Sequence, residues 1–166
     1  MPDVRKSRSR GADGANSAPR AHSPLKLEDF LPYRLSILSN TVSQAIADDY
    51  QQRHDLGVTE WRVMAVLARF PGLSAREVAE RTAMDKVAVS RALARLVEAG
   101  RVDRSVHAQD KRRSVLRLSS AGWRIHDDVA PLARAREREL LARLDTDERA
   151  WLQRILGKLL VDANSK

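Results

Sequence analysis

The chain has 166 residues, 43% of them hydrophobic, so it is long enough to build one domain with its own core. It contains no cysteine, which excludes disulfides, cysteine-held metals and thiol redox sensing, and it has no apolar run of membrane-spanning length. The net charge of +8 favours polyanionic partners.

Residues 1 to about 24 are rich in Arg, Ser, Gly, Ala and Pro without apolar periodicity, and read as a disordered basic tail. Up to Lys26 this segment carries six cations against Asp3 and Asp13, half of the net charge. Either it is simply solvated or it is an arm that adds non-specific affinity for a polyanion. The N-terminus lacks the apolar segment of a secretory signal, in line with a cytoplasmic protein.

A single domain is expected over 25–166. Pro32 suits the first turn of a helix. Leu31, Leu35, Leu38, Val42 and Ile46 then follow at helical spacing, predicting a long helix with a packing seam that ends between His54 and Gly57. Thr59 is the N-cap candidate for a short helix containing Trp61, Val63, Met64, Val66, Leu67 and Phe70, apolar on most sides and closed by Pro71-Gly72.

Ser74 and Glu77 form an S-x-x-E capping box, so a helix starts at Ala75 and ends near Arg81 or Thr82. Asp85 caps a second helix, Lys86 to Glu98, with Gly100 placed to end it in the left-handed region. On this helix Val89, Leu93, Leu96 and Val97 share the apolar face. The opposite face carries Val87, Ala88, Arg91, Ala94 and Arg95, small residues and arginines that suit close approach to base edges and phosphates. Period-two alternation over Val102–Val106 and Val115–Leu118 predicts two short strands, with the cationic stretch H-A-Q-D-K-R-R between them as a loop tip. From Arg101 to Arg117 there are six Lys/Arg and two acids. A solvated surface and a nucleic-acid surface both fit such cations; their clustering beside an arginine-bearing helix favours nucleic acid.

Ser119 caps another long helix, with Ile125, Val129, Leu132, Leu140, Leu141 and Leu144 on its apolar side; Pro131 is expected to kink or break it. Asp145 and Glu148 start a last helix whose Leu152, Ile155, Leu156, Leu159 and Leu160 form a strong stripe. The outer helices carry more apolar surface than the middle module can cover, which predicts a symmetric homodimer. The fold class is therefore mainly α with a small β-hairpin: a winged helix-turn-helix over 59–119, its wing at 101–118, flanked by dimerisation helices at 27–57 and 120–163.

No nucleophile elbow, zinc-protease motif or phosphate-binding glycine loop is present, and His22, His54, His107 and His126 lie far apart, so no enzyme, cofactor or metal is expected. His126 with Asp127 and Asp128 is at most half a metal site.

From Leu27 to Leu160 the chain resembles the MarR family of transcriptional regulators. The resemblance is carried by L-S-A-R-E-V-A-E-R-T, V-A-V-S-R-A-L-A-R-L-V-E-A-G and, above all, the wing signature D-K-R-R-S-V-L-R-L-S-S-A-G. It implies a homodimer that binds a palindrome in double-stranded DNA. Lys86, Val87, Ala88, Ser90 and Arg91 then meet bases; Arg112 enters the minor groove, oriented by Asp110. Ser74, Arg95, Lys111 and Arg113 complete the expected DNA-facing set. Val87 and Ala88 depart from the commoner Ser and Thr, favouring thymine-methyl contact over hydrogen bonding. The resemblance also implies repression released by a small effector, an aromatic acid or an aryl-CoA thioester, in a cavity for which Tyr33, Arg34, Ser39, Asn40, Trp61 and Arg62 are candidates. Each of these also has a plain structural reading, Trp61 as core and the arginines as surface. An architectural DNA-binding protein without effector is the alternative.

Overall fold

The computed structural model describes residues 23–106 and 114–164. After a 3-10 turn at Leu27–Asp29 come α1 (Leu31–His54), α2 (Val58–Arg69), α3 (Ala75–Thr82), α4 (Lys86–Glu98), β1 (Val102–Val106), β2 (Ser114–Leu118), α5 (Ser120–Leu141) and α6 (Thr146–Asn164). The strands pair antiparallel, with Val102 opposite Leu118 and Val106 opposite Ser114. Leu73 adds a one-residue third rung: Gly72 N–H donates to the Leu116 carbonyl and Leu116 N–H to the Leu73 carbonyl, both at 2.9 Å. The tail (1–22) and the loop tip (107–113), including His107, Asp110, Lys111, Arg112 and Arg113, lie outside the described residues.

The capping signals work as the residue types require. Ser74 and Glu77 form the reciprocal box at α3, and Asp145 and Glu148 form it at α6. Asp85 accepts from Val87 and Ala88 N–H at 2.9 and 3.0 Å, satisfying donors that the first turn of α4 leaves free. Gly100 closes α4 at φ 64, with Arg101 N–H bonding back to the Leu96 carbonyl. The turn into α4 is unusual in placing Ala83, which has a Cβ, at φ 50.

The structure corrects several sequence expectations. Helix α2 begins at Val58, with Gly57 rather than Thr59 as its N-cap. The Glu60 carboxylate folds back to accept the Gly57 N–H, and a Cβ on Gly57 would stand 2.6 Å from that carboxylate. On α4 the buried set is Val89, Ala92, Leu93 and Leu96, while Val97 is exposed at the edge of the stripe. Val115 is buried together with Leu116 and Leu118, because the Pro71-Gly72 turn covers the second face of the hairpin. Of the kink or break expected at Pro131, the break is absent: helix α5 continues past this exposed residue. The cost of one missing backbone bond is offset by packing against α1 through Val129 and by an ion pair.

One core joins the elements. Ala47, Tyr50 and Leu56 from α1 and its exit meet Val63, Met64 and Leu67 of α2, Val78 of α3, Leu96 of α4, Leu116 of β2 and Val129 of α5. Beside it Arg136 of α5 grips Asp49 of α1 in a fork, with Nε and Nη2 each 2.7 Å from a carboxylate oxygen. The Arg136 hydrogen bonds hold the Asp49 carboxyl below its ordinary 3.8, against the opposing effect of partial burial. A depressed native pKa stabilises the fold above the unfolded value and loses that contribution as pH falls through the native one. Asp49→Asn is therefore expected to lower the melting temperature at neutral pH, and the gap from wild type is expected to close below pH 3.8. A gap that persists undiminished in acid, followed by circular dichroism, would remove the ion pair as its cause.

Candidate nucleic-acid interface

Because one side of α4 is locked into the core, the other side is presented to solvent. Lys86, Val87, Ser90, Arg91, Ala94 and Arg95 are exposed, Val87 to 57%, and Ala88 is half-buried. An exposed Val at the first turn of a capped helix is unexplained by packing and suits an apolar contact such as a thymine methyl. Ser74 is engaged differently from its neighbours. Its Oγ and its N–H both donate to Glu77, and its hydroxyl receives the Glu77 N–H, so its side chain is committed to capping α3.

Arg95 is also partnered. Its Nη1 donates to Glu60 Oε1 at 2.9 Å, across from the start of α2. Glu60 is only 7% exposed, and its other oxygen takes the Gly57 N–H. The residue reads in the sequence as an ordinary first-turn acid; its distinguishing signal is the G-x-x-E spacing between two apolar runs.

The base of the hairpin is held by backbone. Ser119 N–H donates to the Arg101 carbonyl and its hydroxyl to the Gly100 carbonyl, while its Oγ caps α5 by accepting from Gly122 N–H. The Arg101 guanidinium reaches the other way, donating to the carbonyls of His54 and Asp55 at the end of α1. The base of the wing is thus bonded to the ends of α1, α4 and α5, with Arg104 and Arg117 exposed on its strands.

A cavity of about 410 Å³ opens between α1, α2 and α3, lined by Ser39, Trp61, Arg62, Ala65, Val66 and Thr82. It gathers three of the six candidate effector residues. Tyr33 and Arg34, nearer the start of α1, and Asn40, next to Ser39, are exposed and do not line it. Arg62 donates to the hydroxyls of Ser43 at 2.7 Å and Ser39 at 3.4 Å, and among the described residues no carboxylate pairs with it. Trp61 backs the cavity within an aromatic chain: Tyr50 on one side (centroids 6.0 Å apart) and His126 stacked at 5.8 Å on the other, with Trp123 edge-on to His126. Burial, aided by the Glu60 charge and opposed by Arg62, pushes the Tyr50 phenol up to about 12, so it stays neutral. His126 Nδ1 lies 3.1 Å from Asp127 Oδ1 and its ring stacks on Trp61; no metal-holding cluster exists among the described residues.

These elements match known proteins. The MarR family model matches residues 54–113. An HTH-type transcriptional repressor of Mycobacterium tuberculosis is 29% identical over 133 residues, 78% of this chain and 91% of the relative. The structure superposes with a TM-score of 0.77 on a MarR/EmrR family transcriptional regulator from Acinetobacter sp. ADP1, at 25% identity, covering 86% of this chain and all of that one. It superposes at 0.70 on a mutant MarR from Escherichia coli complexed with operator DNA, at 27% identity, covering 83% and 99% of the two chains.

Wing anchoring makes a test. A Cβ on Gly122 would fall 2.1 Å from the Arg101 carbonyl oxygen, where neither backbone yields easily. Gly122→Ala is expected to cost about 1–3 kcal/mol of stability through overpacking, read by denaturant unfolding. An unchanged midpoint would mean that the α5–wing contact is loose.

Proposed function

We propose that this chain is a member of the MarR family, a cytoplasmic homodimeric repressor that binds palindromic double-stranded DNA and is released by a small aromatic acid or its CoA thioester. It is a transcriptional regulator rather than an enzyme, as its relatives are. The observation that carries the DNA reading is the exposed face of α4, which sets Val87, Ser90 and Arg91 outward on a helix whose other face is core. Lys86, Val87, Ala88, Ser90 and Arg91 read bases, Arg95 meets backbone, and Arg112, oriented by Asp110 and flanked by Lys111 and Arg113, enters the minor groove.

Residues 59–119 form the DNA module, and the helices at 27–57 and 120–163 join two copies. Leu31, Leu35, Ile37 and Leu38 of α1 and Trp151, Ile155, Leu159 and Leu160 of α6 are between 41% and 61% exposed. Apolar surface on that scale at both ends of a chain calls for a partner, and a second copy supplies the second recognition helix that a palindrome requires. Among the described residues no helix is long and apolar enough to cross a membrane.

The protein is expected to sediment at twice its 18.6 kDa chain mass and to enrich a palindrome from a random duplex pool. On that duplex Arg91→Ala is expected to cost about 1–3 kcal/mol at one base position. A monomer, or a pool that converges on no sequence, overturns the regulator in favour of an architectural protein.

For the effector, the support is the Arg62 guanidinium held by neutral serine hydroxyls beside Trp61, which suits a carboxylate attached to a ring. Screened by thermal shift, an aromatic acid or aryl-CoA ester is expected to raise the melting temperature and to release DNA. Arg62→Ala is expected to abolish both effects while keeping DNA affinity. Release that survives the substitution would place the effector elsewhere.

A further inference from the structure

We infer that Glu60 is a positioning residue for DNA binding, a buried carboxylate on α2 that holds one edge of the Arg95 guanidinium so that its other donors face the DNA backbone. The inference rests on the reading of α4 as the DNA-facing helix.

The geometry carries it in three steps. First, the charge of Glu60 needs a reason. The residue is 7% exposed, and burial of an unpaired carboxylate is costly. Its helix-start duty, accepting the Gly57 N–H, is one that a neutral Gln performs as well in a capping box. The start of α2 favours an acid there, and among the described residues the cation paired with this buried charge is Arg95, its Nη1 2.9 Å away.

Second, the pair is lopsided. The Glu60 side chain is 10% exposed and that of Arg95 is 72% exposed. A guanidinium has five donors in a rigid fork, and one is spent on Glu60. The rest stay in solvent on the side of α4 that bears Arg91, one turn earlier. Among the described residues, Arg91 pairs with no carboxylate. A long side chain pinned at one nitrogen by a rigid core loses less freedom on meeting a phosphate than a free one does.

Third, the pin is attached where the long helix α1 ends. Gly57, bonded to the same carboxylate, directly follows the buried Leu56 at the α1 exit. The direction of Arg95 is thereby referred to the body of the molecule rather than to α4 alone.

Charge counting and positioning predict opposite signs. Removing an anion near DNA strengthens binding if only net charge matters. If Glu60 aims Arg95, its removal weakens binding. The experiment measures affinity over a salt series, by fluorescence anisotropy, on the duplex that the wild-type protein selects. Glu60→Gln keeps the size and the Gly57 acceptor and is expected to bind about tenfold more weakly. Arg95→Ala is expected to lose at least as much and to lower the salt slope by about one. In the Arg95→Ala background, Glu60→Gln is expected to change nothing further, which a merely structural role would not produce. Should Glu60→Gln not fold, Arg95→Lys decides: it keeps the charge and loses the fork, so about tenfold weaker binding supports the aimed guanidinium, and unchanged binding overturns it. Tighter or equal binding by Glu60→Gln, or an equal loss with and without Arg95, also overturns it while leaving the DNA-binding reading intact. Failure of the wild-type protein to bind any duplex overturns both.

Discussion

Arg101 is where the separate parts of this molecule are joined. Its backbone N–H ends α4 by bonding to the Leu96 carbonyl, and its carbonyl receives Ser119 N–H at the start of α5. Its guanidinium caps the end of α1 through the His54 and Asp55 carbonyls. The next residue, Val102, begins the wing and is buried in the core. Three helix ends and a hairpin therefore meet at one peptide. Helix termini leave backbone groups without intrahelical partners, and here two unpaired carbonyls of one helix are satisfied by a cation attached to the loop that follows another. The hairpin base and α1 cannot move independently while those bonds hold.

Helix α2 provides a second kind of junction, made by three consecutive residues. Successive side chains on a helix point about 100° apart, so Glu60, Trp61 and Arg62 address three different neighbours. Glu60 reaches Arg95 on α4, Trp61 stacks on His126 of α5, and Arg62 bonds Ser43 of α1. Trp61 and Arg62 also line the cavity beside α1 and α3. Both lie one or two residues along α2 from the carboxylate that pairs with Arg95.

Helix α1 is divided along its length. Its C-terminal half contributes Ala47 and Tyr50 to the core and Asp49 to the fork with Arg136, whereas Leu31, Leu35, Ile37 and Leu38 remain in solvent. Helix α6 repeats the second situation with Trp151, Ile155, Leu159 and Leu160. The buried core thus lies in the middle of the chain, and α1 and α6 leave large apolar side chains exposed toward its two ends.

Most capping residues, the apolar stripes and the positions of the two strands were legible in the chain itself, because each depends on neighbours within a turn or two; the alternation of buried and exposed residues along the strands is not what the hairpin shows. Ser74 with Glu77, Asp85, Gly100, Ser119 and Asp145 with Glu148 all sit where their local chemistry puts them. So was the outward face of α4, since Val89, Leu93 and Leu96 leave only one other side for Arg91. What the chain alone did not disclose depends on elements far apart in sequence. Helix α2 is capped by Gly57, not Thr59, and a carboxylate buried against α4 occupies the space that a Cβ would take there. Helix α5 passes Pro131 because Asp49, 87 residues away from Arg136, helps hold it. Tyr33 and Arg34 fall outside the cavity because only part of α1 passes α2 there, and Asn40 because its side chain is turned about 100° from that of Ser39. Local spacing determines where helices begin, end and turn their apolar sides; which charge is buried, and what it holds, is decided only when distant helices pack and water is excluded between them.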